Sequence, residues 1–400
     1  MVDHNSLRRI PGWLGRNVLV PVVVTRLALC LVAWLGFRFL PLQVTFQPTW
    51  EVGIDGLPAK IVHHVTPFSH PFLNMWSRWD AIWYVEIARS GYSYDPGKIS
   101  NVAFFPLYPL LIRATQVILF LPRSDYWLLL CGVCLSNILL LIALSYFVAL
   151  LRLDFNERVA ARAALYLLVF PTTCFLSSVY TESLFLFLTV AAFYHGRRKQ
   201  WIAACSLAAL GTLCRAQGLI VALPLFIEYL DQHDFRPRDI ERNALSFALI
   251  PIPLLAFAFY LHGRFASWRI MFEAQKQWQR HLMWPWHTLG WFFKHAPPLS
   301  IQHHDRLDFA FLALLVFAGM GASSWLRLSY QAYLWLAAFF FASWGTLSSI
   351  PRFDVVVFPL FALLAVVGWR SRAFHVAYLI ISSMMAAIFM IMYSQWNWVA

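Results

Sequence analysis

The chain has 400 residues, of which 60% are hydrophobic and 17% aromatic, while only 12% are charged. This composition excludes a soluble globular protein and predicts a polytopic membrane domain with no large soluble domain beside it. The formal net charge of +12 does not indicate nucleic-acid binding, because the basic residues punctuate apolar segments instead of forming one patch. Such spacing suits anchoring to anionic lipid headgroups.

Apolar segments along the chain predict a single all-α domain over residues 1–400, with about eleven transmembrane helices. Several are shorter than the roughly 20 residues that a bilayer requires, so we expect their neighbours to shield them. The predicted spans are about 17–40, 126–151, 163–178, 183–195, 201–213, 219–230, 244–262, 307–325, 331–347, 355–369 and 374–393. Residues 103–121 are also apolar, but Pro106, Pro109 and Arg113 interrupt them, so they predict a juxtamembrane helix instead.

The basic residues of the short loops predict the orientation. With a cytoplasmic N-terminus, every compact basic cluster falls on the cytoplasmic side of a plasma-membrane protein. Two long polar segments, 41–125 and 263–306, then lie outside the cell, together with the turns near Glu182, Arg215 and Arg352.

The first outer segment contains a predicted amphipathic helix from Arg78 to Arg89, which Gly91 ends. Its apolar face carries Trp79, Ile82, Trp83 and Ile87. Because Trp and Tyr favour the membrane–water boundary, we expect this helix to lie on the bilayer and to present Asp80 and Glu86 above it.

Four polar features share the predicted outer surface. They are Asp80 with Glu86, Tyr180-Thr181-Glu182, Arg215-Ala216-Gln217 and Pro351-Arg352-Phe353. A carboxylate there can act as a general base toward an attacking hydroxyl, and an arginine can bind a phosphate through its fork of donors. Together these groups suit transfer from a lipid-phosphate donor anchored in the membrane.

Each feature also has a structural interpretation. Asp80 is well placed as a helix N-cap, Glu86 as part of a solvated helix face, and Glu182 as an acid at a helix start. Arg352 has a local ion-pair partner in Asp354. Arg215 has no nearby acid in the sequence, which favours a phosphate or headgroup ligand.

Metal and disulfide chemistry have little support. The outer histidines show no convincing ligand spacing and are interpreted as interfacial; they are His63, His64, His70, His281, His287, His295, His303 and His304. No cofactor is assigned, although a divalent cation is left open. The six cysteines lie in or beside apolar segments and are interpreted as packing residues.

Several motifs combine into a family pattern. Residues 78–81 read RWDA, 91–92 read GY and 104–109 read FFPLYP. Later blocks are Phe170-Pro171, SSVYTES at 177–183, Arg215-x-Gln217-Gly218, Pro351-Arg352-Phe353 and Trp398-Val399-Ala400. Together they resemble the PIG-V-like mannosyltransferases, whose eukaryotic namesake is the second mannosyltransferase of GPI-anchor synthesis. The resemblance covers nearly the whole chain, is weak over 263–306, and is greatest to the prokaryotic branch, where a GPI acceptor is not expected.

This resemblance implies a GT-C type glycosyltransferase, a multispanning enzyme that uses a polyprenyl-phosphate sugar, usually mannose, at the extracytoplasmic face. The family's catalytic acid in the first outer loop corresponds to Asp80. The hypothesis that follows makes Asp80 the general base of an inverting transfer to a lipid or glycan hydroxyl.

The remaining candidates are substrate-binding residues. Arg215 and Arg352 are expected to stabilise the departing phosphate, Tyr180 and Glu182 to hold sugar hydroxyls, and Glu86 to support the acceptor. Arg78 and Gln217, which belong to the same motifs, complete the candidate substrate-binding set.

Two other functions stay open on the sequence. A flippase or transporter of lipid-linked saccharides would need polar groups at mid-membrane, and Arg26 in the first span is such a group. A non-catalytic subunit of a glycan-assembly complex would tolerate loss of Asp80.

Overall fold

The computed structural model describes residues 14–40, 71–96, 99–278, 280–295 and 305–399. Within these ranges the chain is helical and has no β-strand, which confirms the all-α prediction. Parts of both long outer segments fall outside the described residues, and so do His63, His64, His70, His303 and His304.

The described part of the chain contains fifteen α-helices of eight or more residues. They are α1 (Gly15–Phe39), α2 (Ala81–Ser90), α3 (Leu107–Ile118), α4 (Asp125–Leu151), α5 (Glu157–Leu168), α6 (Glu182–Arg197), α7 (Trp201–Thr212), α8 (Ala222–Asp231), α9 (Ile252–Phe265), α10 (Ile270–Gln277), α11 (Pro285–His295), α12 (Asp305–Ala322), α13 (Leu328–Ala342), α14 (Phe358–Arg370) and α15 (Arg372–Ser394).

Within the described residues, four helical stretches are long and apolar enough to cross a membrane. They are Gly15–Phe39, Asp125–Leu151, Arg242–Phe265 and Arg372–Ser394. The helices α1 and α15 expose large apolar side chains, among them Leu27 and Met384, which lipid can cover at no cost but water cannot. The chain is therefore a membrane protein. Other apolar helices, such as α7 with 12 residues, extend only about 18 Å, so the total of eleven spans stays a prediction.

The helices pack as pairs around one continuous apolar core. The helix α4 lies along α6, and α6 lies against α7. Further pairs are α12 with α13, α8 with α13, α5 with α14, and α1 with α15. The neighbours thus shield the shorter helices, as their length requires.

A charged network joins the helix ends at the side predicted to be cytoplasmic. The Nη1 of Arg197 lies 2.6 Å from Oδ2 of Asp154, and its Nε lies 3.2 Å from Oε1 of Glu228. Arg327 also contacts Glu228 at 3.1 Å, and the Ser329 hydroxyl donates to the same carboxylate at 2.6 Å. Because Glu228 is buried, these donors are what make its charge tolerable there.

The structure corrects the expected position of the outer amphipathic helix. Of the ten residues of α2, seven are buried inside the protein. Trp83 stacks on Phe104 with ring centroids 6.0 Å apart, and Tyr84 meets Tyr108 edge-on at 5.5 Å. The helix does not lie on the bilayer, because aromatic rings from the following segment cover the face that was predicted to contact lipid.

Among the described glycines, Gly218 lies nearest to the backbone of a neighbouring segment. A Cβ added there would lie 2.2 Å from the carbonyl oxygen of Gly211, at the end of α7. Gly218 itself closes the turn that begins at Arg215, to whose carbonyl its N–H donates at 2.9 Å. Only a glycine lets this turn sit on the last turn of α7.

We expect Gly218→Ala to destabilise the protein by about 1–3 kcal/mol, because the methyl group meets rigid backbone. The loss should appear as a lower midpoint of thermal unfolding in detergent. Gly263→Ala is the control, since nothing lies within 4 Å of a Cβ at that position in α9, and alanine there should be neutral or stabilising by up to about 1 kcal/mol. Equal unfolding midpoints for the two variants would contradict the steric interpretation.

Candidate functional site

A cavity of about 690 Å³ opens where the predicted outer turns meet. Six stretches of the described chain line it: residues 79–84 around the start of α2, residues 103–105 before α3, the turn before α8, the end of α10 with the segment that follows it, residues 340–353, and residues 396–398. Its polar lining includes Asp80, Arg215, Gln217, Arg280 and Arg352. The sequence predicted that the outer polar features would share one face, and the structure brings residues of three of the four features onto the lining of one cavity.

The Tyr180 hydroxyl joins two of the sequence motifs. It accepts a hydrogen bond from the N–H of Asp80 at 3.1 Å and donates to the carbonyl of Arg78 at 2.9 Å. One residue earlier, the N–H of Val179 donates to the carbonyl of Trp76 at 3.1 Å. These bonds fix the backbone from which Asp80 extends.

Other backbone contacts tie the remaining motifs together. The Thr172 hydroxyl, which follows the Phe170-Pro171 block, donates to the carbonyl of Pro351 at 2.7 Å and so positions the neighbouring Arg352. The N–H of Leu107 in the FFPLYP block donates to the carbonyl of Leu213 at 3.0 Å. Motifs far apart in the sequence therefore hold one another at the cavity.

Four charged side chains form a continuous chain of ion pairs. The Nη1 of Arg352 lies 2.6 Å from Oδ2 of Asp80, and its Nε lies 3.2 Å from Oε1 of Glu182. The Nη1 of Arg215 donates to the same oxygen of Glu182 at 2.9 Å. Asp80 is on the cavity surface, whereas Glu182 is 0% exposed and lies behind it.

These pairs distinguish between the structural and functional interpretations. Asp80 occupies the N-cap position of α2, but its side chain makes no capping hydrogen bond and instead faces Arg352. Glu182 begins α6, yet its carboxylate binds two arginines. Arg352 is not paired with Asp354. The acid that Arg215 lacked in the sequence is Glu182, supplied by the fold.

Three guanidinium groups surround the ring of Phe353. The Cζ atoms of Arg215, Arg352 and Arg280 lie 5.0, 5.1 and 5.5 Å from its centroid, within cation–π range. Burial lowers the pKa of Arg352, but the carboxylates of Asp80 and Glu182 raise it by more, so its pKa ends above the ordinary value. The Asp80 and Glu182 carboxylates therefore favour the charged form of Arg352.

Four of the predicted substrate-binding residues lie off the cavity lining: Arg78, Glu86, Tyr180 and Glu182. Arg78 is 1% exposed and donates to the carbonyls of Ser394 and Asn74, each at 2.9 Å. Its place is behind the ring of Trp396, and burial lowers its pKa to about 9. Tyr180 and Glu182 are buried behind the residues that line the cavity.

Glu86 and Gln217 also differ in whether they line the cavity. Glu86 is half-buried outside the lining, and burial raises its pKa. Gln217 is on the lining, beside Arg215. Of the candidates, the structure therefore gathers Asp80, Arg215, Gln217 and Arg352 at the cavity surface.

The sequence motifs missed Arg280 and most of the tryptophans. Arg280 follows α10 in the outer segment where the family pattern is weakest. The only sequence signal for it is the presence of aromatic residues beside it, such as Trp278. Tryptophans at 79, 278, 344, 396 and 398 also line the cavity. Flat rings of this kind suit the apolar faces of a sugar or a lipid.

Three non-glycine residues on the lining have left-handed backbone conformations. Their φ angles are 53° at Trp79, 76° at Ser349 and 68° at Trp396. Each such residue costs of the order of 1–3 kcal/mol, and such strain clusters at functional sites. Trp79 directly precedes Asp80, so the strain lies at the residue that aims the candidate base.

The described residues contain no group of three or more His, Cys, Asp or Glu side chains that could hold a metal ion. His281, His287 and His295 belong to this described part. The described residues therefore offer no such group of ligands for the divalent cation that the sequence left open.

We expect Glu182→Gln to destabilise the protein by about 3–5 kcal/mol, because it leaves the buried Arg215 without its carboxylate. Thermal unfolding in detergent measures the loss. Glu157→Gln is the control, since Glu157 pairs with Arg152 at 2.5 Å on the exposed surface, where a pair contributes only about 0–1 kcal/mol. An equal effect of both substitutions would show that the buried pair has no special weight.

Asp354 predicts a pH effect. It is fully buried, neither carboxylate oxygen has a hydrogen-bond partner in the described structure, and burial with nearby Asp308 raises its pKa well above the usual range. The folded chain therefore keeps a proton that the unfolded chain releases near pH 4, so stability falls as the pH rises from about 4 through the raised pKa.

We expect Asp354→Asn to reduce this fall, measured as unfolding midpoints between about pH 5 and pH 8. Asp239→Asn, at an exposed acid, should keep the wild-type slope. If Asp354→Asn also keeps that slope, Asp354 is not the titrating group.

Comparisons with known proteins agree with these motifs. The family model for mannosyltransferase (PIG-V) matches residues 50–270. The GPI alpha-1,6-mannosyltransferase 2 of Mus musculus is 36% identical over 157 residues, which are 36% of this chain and 29% of that protein. The match thus spans less than a third of that relative's length.

Among solved structures, the chain is similar to the Archaeoglobus fulgidus oligosaccharyltransferase, with a TM-score of 0.46, 13% identity and coverage of 95% of this chain and 56% of that one. It is also similar to ArnT from Cupriavidus metallidurans, solved with undecaprenyl phosphate, with a TM-score of 0.41, 13% identity and coverage of 90% and 78%. Since the family model covers more than half of the sequence, the chain belongs to the mannosyltransferase (PIG-V) family.

Proposed function

We propose that this protein is a GT-C type glycosyltransferase that moves a sugar from a polyprenyl-phosphate donor to a hydroxyl of a lipid or glycan acceptor. Family membership and the activity named for the mouse relative favour mannose as the sugar. The observation that carries the proposal is the placement of Asp80 at a cavity whose other charged lining residues are arginines. A base and a phosphate-binding surface thus face the same space.

Asp80 is the proposed general base. Its Oδ2 is held by Arg352 at 2.6 Å, whereas its Oδ1 accepts no hydrogen bond from the described residues. The free oxygen takes the proton of the acceptor hydroxyl as that oxygen attacks the anomeric carbon of the sugar. The bond from this carbon to the phosphate oxygen breaks on the opposite face, so the configuration inverts and the electron pair leaves with the lipid phosphate.

Arg352 and Arg215 provide positive charge for that departing phosphate. They are fixed by Glu182, so little reorganisation is needed when negative charge develops on the phosphate oxygen. Tyr180 and Glu182 then act through these neighbours: Tyr180 holds the backbone of Asp80, and Glu182 holds both arginines. This replaces the direct contact with sugar hydroxyls that the sequence suggested for them.

The site is proposed to face the extracytoplasmic side. The helix α6 begins at Glu182 beside the cavity and ends at Arg197 in the charged network. The helix α13 begins next to Arg327 in that network and ends near Phe341 on the cavity lining. The two charge clusters thus lie at opposite helix ends, as the predicted topology with a cytoplasmic N-terminus requires.

Arg26, one of the features that favoured a transporter, has contacts that suit an anchoring role. Arg26 within α1 does not line the cavity. Its guanidinium donates to the carbonyls of Thr173 and Leu168 at 2.9 and 3.1 Å and to the Thr173 hydroxyl at 2.7 Å. Through both terminal nitrogens, Arg26 thus anchors α1 to the end of α5 and to the segment that follows it.

Incubation of the purified protein with radiolabelled polyprenyl-phosphate mannose and a membrane-lipid extract tests the proposal. We expect label to move to an acceptor in the extract. Asp80→Asn should lower the rate about 100- to 10,000-fold, the usual contribution of a general base. Full activity of a folded, inserted Asp80→Asn protein would remove the base assignment and would favour a non-catalytic subunit.

Asp95→Asn is the matched control. Asp95 is an exposed acid of the same outer segment and is not on the cavity lining. Its substitution should leave transfer unchanged, and size-exclusion profiles of both variants should match the wild type. No transfer by the wild-type protein from any polyprenyl-phosphate sugar would overturn the proposed function.

A further inference from the structure

We propose that Arg280 is the residue that binds the phosphate of the lipid-linked donor before transfer. The assignment depends on the proposed function and deepens it, because it names the phosphate ligand among three candidate arginines. No sequence motif marks Arg280, and it lies in the outer segment whose role the sequence left undefined.

The ion pairs single out Arg280. Arg215 and Arg352 share the carboxylates of Glu182 and Asp80. Arg280 has no acid within ion-pair distance in the described structure, and its one polar contact is the Ser349 hydroxyl, 3.4 Å from Nη2. Three arginines thus face two carboxylates, which leaves one positive charge in excess at the cavity.

The excess positive charge at Arg280 favours the binding of an anion. Burial, and then the nearby charge of Arg352, lowers the pKa of Arg280 to about 10, so the side chain is still protonated at neutral pH. A half-buried cation beside two others is unfavourable unless an anion joins it. The phosphodiester of a polyprenyl-phosphate sugar carries one negative charge, which matches the excess.

The backbone around Arg280 is held in place. The N–H of His281 donates to the carbonyl of Trp344 at 3.3 Å, and the N–H of Met283 donates to the carbonyl of Ser343 at 3.0 Å. Gly345, with φ at +74°, lets the ring of His281 approach to 2.9 Å from where a Cβ would lie. This segment is therefore fastened to the end of α13, so the guanidinium is positioned before a ligand arrives.

The pairing also separates binding from catalysis. To bind a phosphate, Arg215 or Arg352 must weaken a buried ion pair, whereas Arg280 loses only a long hydrogen bond. Arg280 should therefore supply ground-state affinity for the donor. A donor must carry a phosphate in the proposed reaction, while an acceptor need not be charged.

Steady-state kinetics of Arg280→Ala, Arg280→Lys and wild type test the assignment, with the donor and the acceptor varied in turn. We expect Arg280→Ala to raise the KM for the donor about 10- to 100-fold, the effect of one lost charge-assisted hydrogen bond, with a smaller change in kcat. Arg280→Lys should recover part of the affinity. The KM for the acceptor should not change.

Direct binding of a short-chain polyprenyl monophosphate and of the matching uncharged polyprenol gives a second readout. Arg280→Ala should weaken binding of the phosphate and not of the alcohol, which also shows that the variant is folded. Arg269→Ala, at an exposed arginine of the same outer segment, should behave as wild type in both assays.

An unchanged donor KM together with unchanged phosphate binding would overturn the assignment, as would an increase confined to the acceptor KM. With either of these outcomes, if the wild-type protein transfers sugar from the donor, the proposed function stands and only the role of Arg280 fails. Absence of wild-type transfer is a failure of the proposed function instead. In that event the binding assay still decides whether Arg280 holds a lipid phosphate.

Discussion

The buried carboxylate of Glu182 is the constraint on which the site depends. It forms ion pairs with Arg215 and Arg352, which come from different parts of the chain, and Arg352 also pairs with Asp80. A buried charge that loses its partner costs several kcal/mol. Four segments must therefore assemble together: the start of α6, the turn before α8, the segment before α14 and the start of α2. The cavity is the space between them.

The same helices carry a second charged cluster at their other ends. Glu228 and Arg327 close the network near the end of α8 and the start of α13, and Arg197 joins it from the end of α6. In a lipid-facing domain apolar packing gives little direction, since lipid tails are as apolar as the side chains. Paired charges at both ends of a helix fix its register against the neighbouring helices, which keeps the site residues together.

The partner of each charged residue decided between interpretations that its type and local position left open. An aspartate at a helix start is a capping residue by default, and Asp80 is not one because its carboxylate turns to Arg352. Arg352 has a closer acid in sequence, Asp354, yet that carboxylate is buried away from it without a hydrogen-bond partner in the described structure. The partner of each charge thus depends on which remote segment reaches it.

The amino-acid sequence by itself determined the class of the protein, the approximate place of most of its apolar helices and the polar turns near the cavity. These follow from local patterns, since apolar length, proline positions and loop charge act over a few residues. Only the tertiary structure decided that α2 is buried among rings, that Tyr180 and Glu182 lie behind the residues that line the cavity, and that Arg280 joins the site. Burial and ion pairing between remote segments depend on packing direction, which no local spacing encodes.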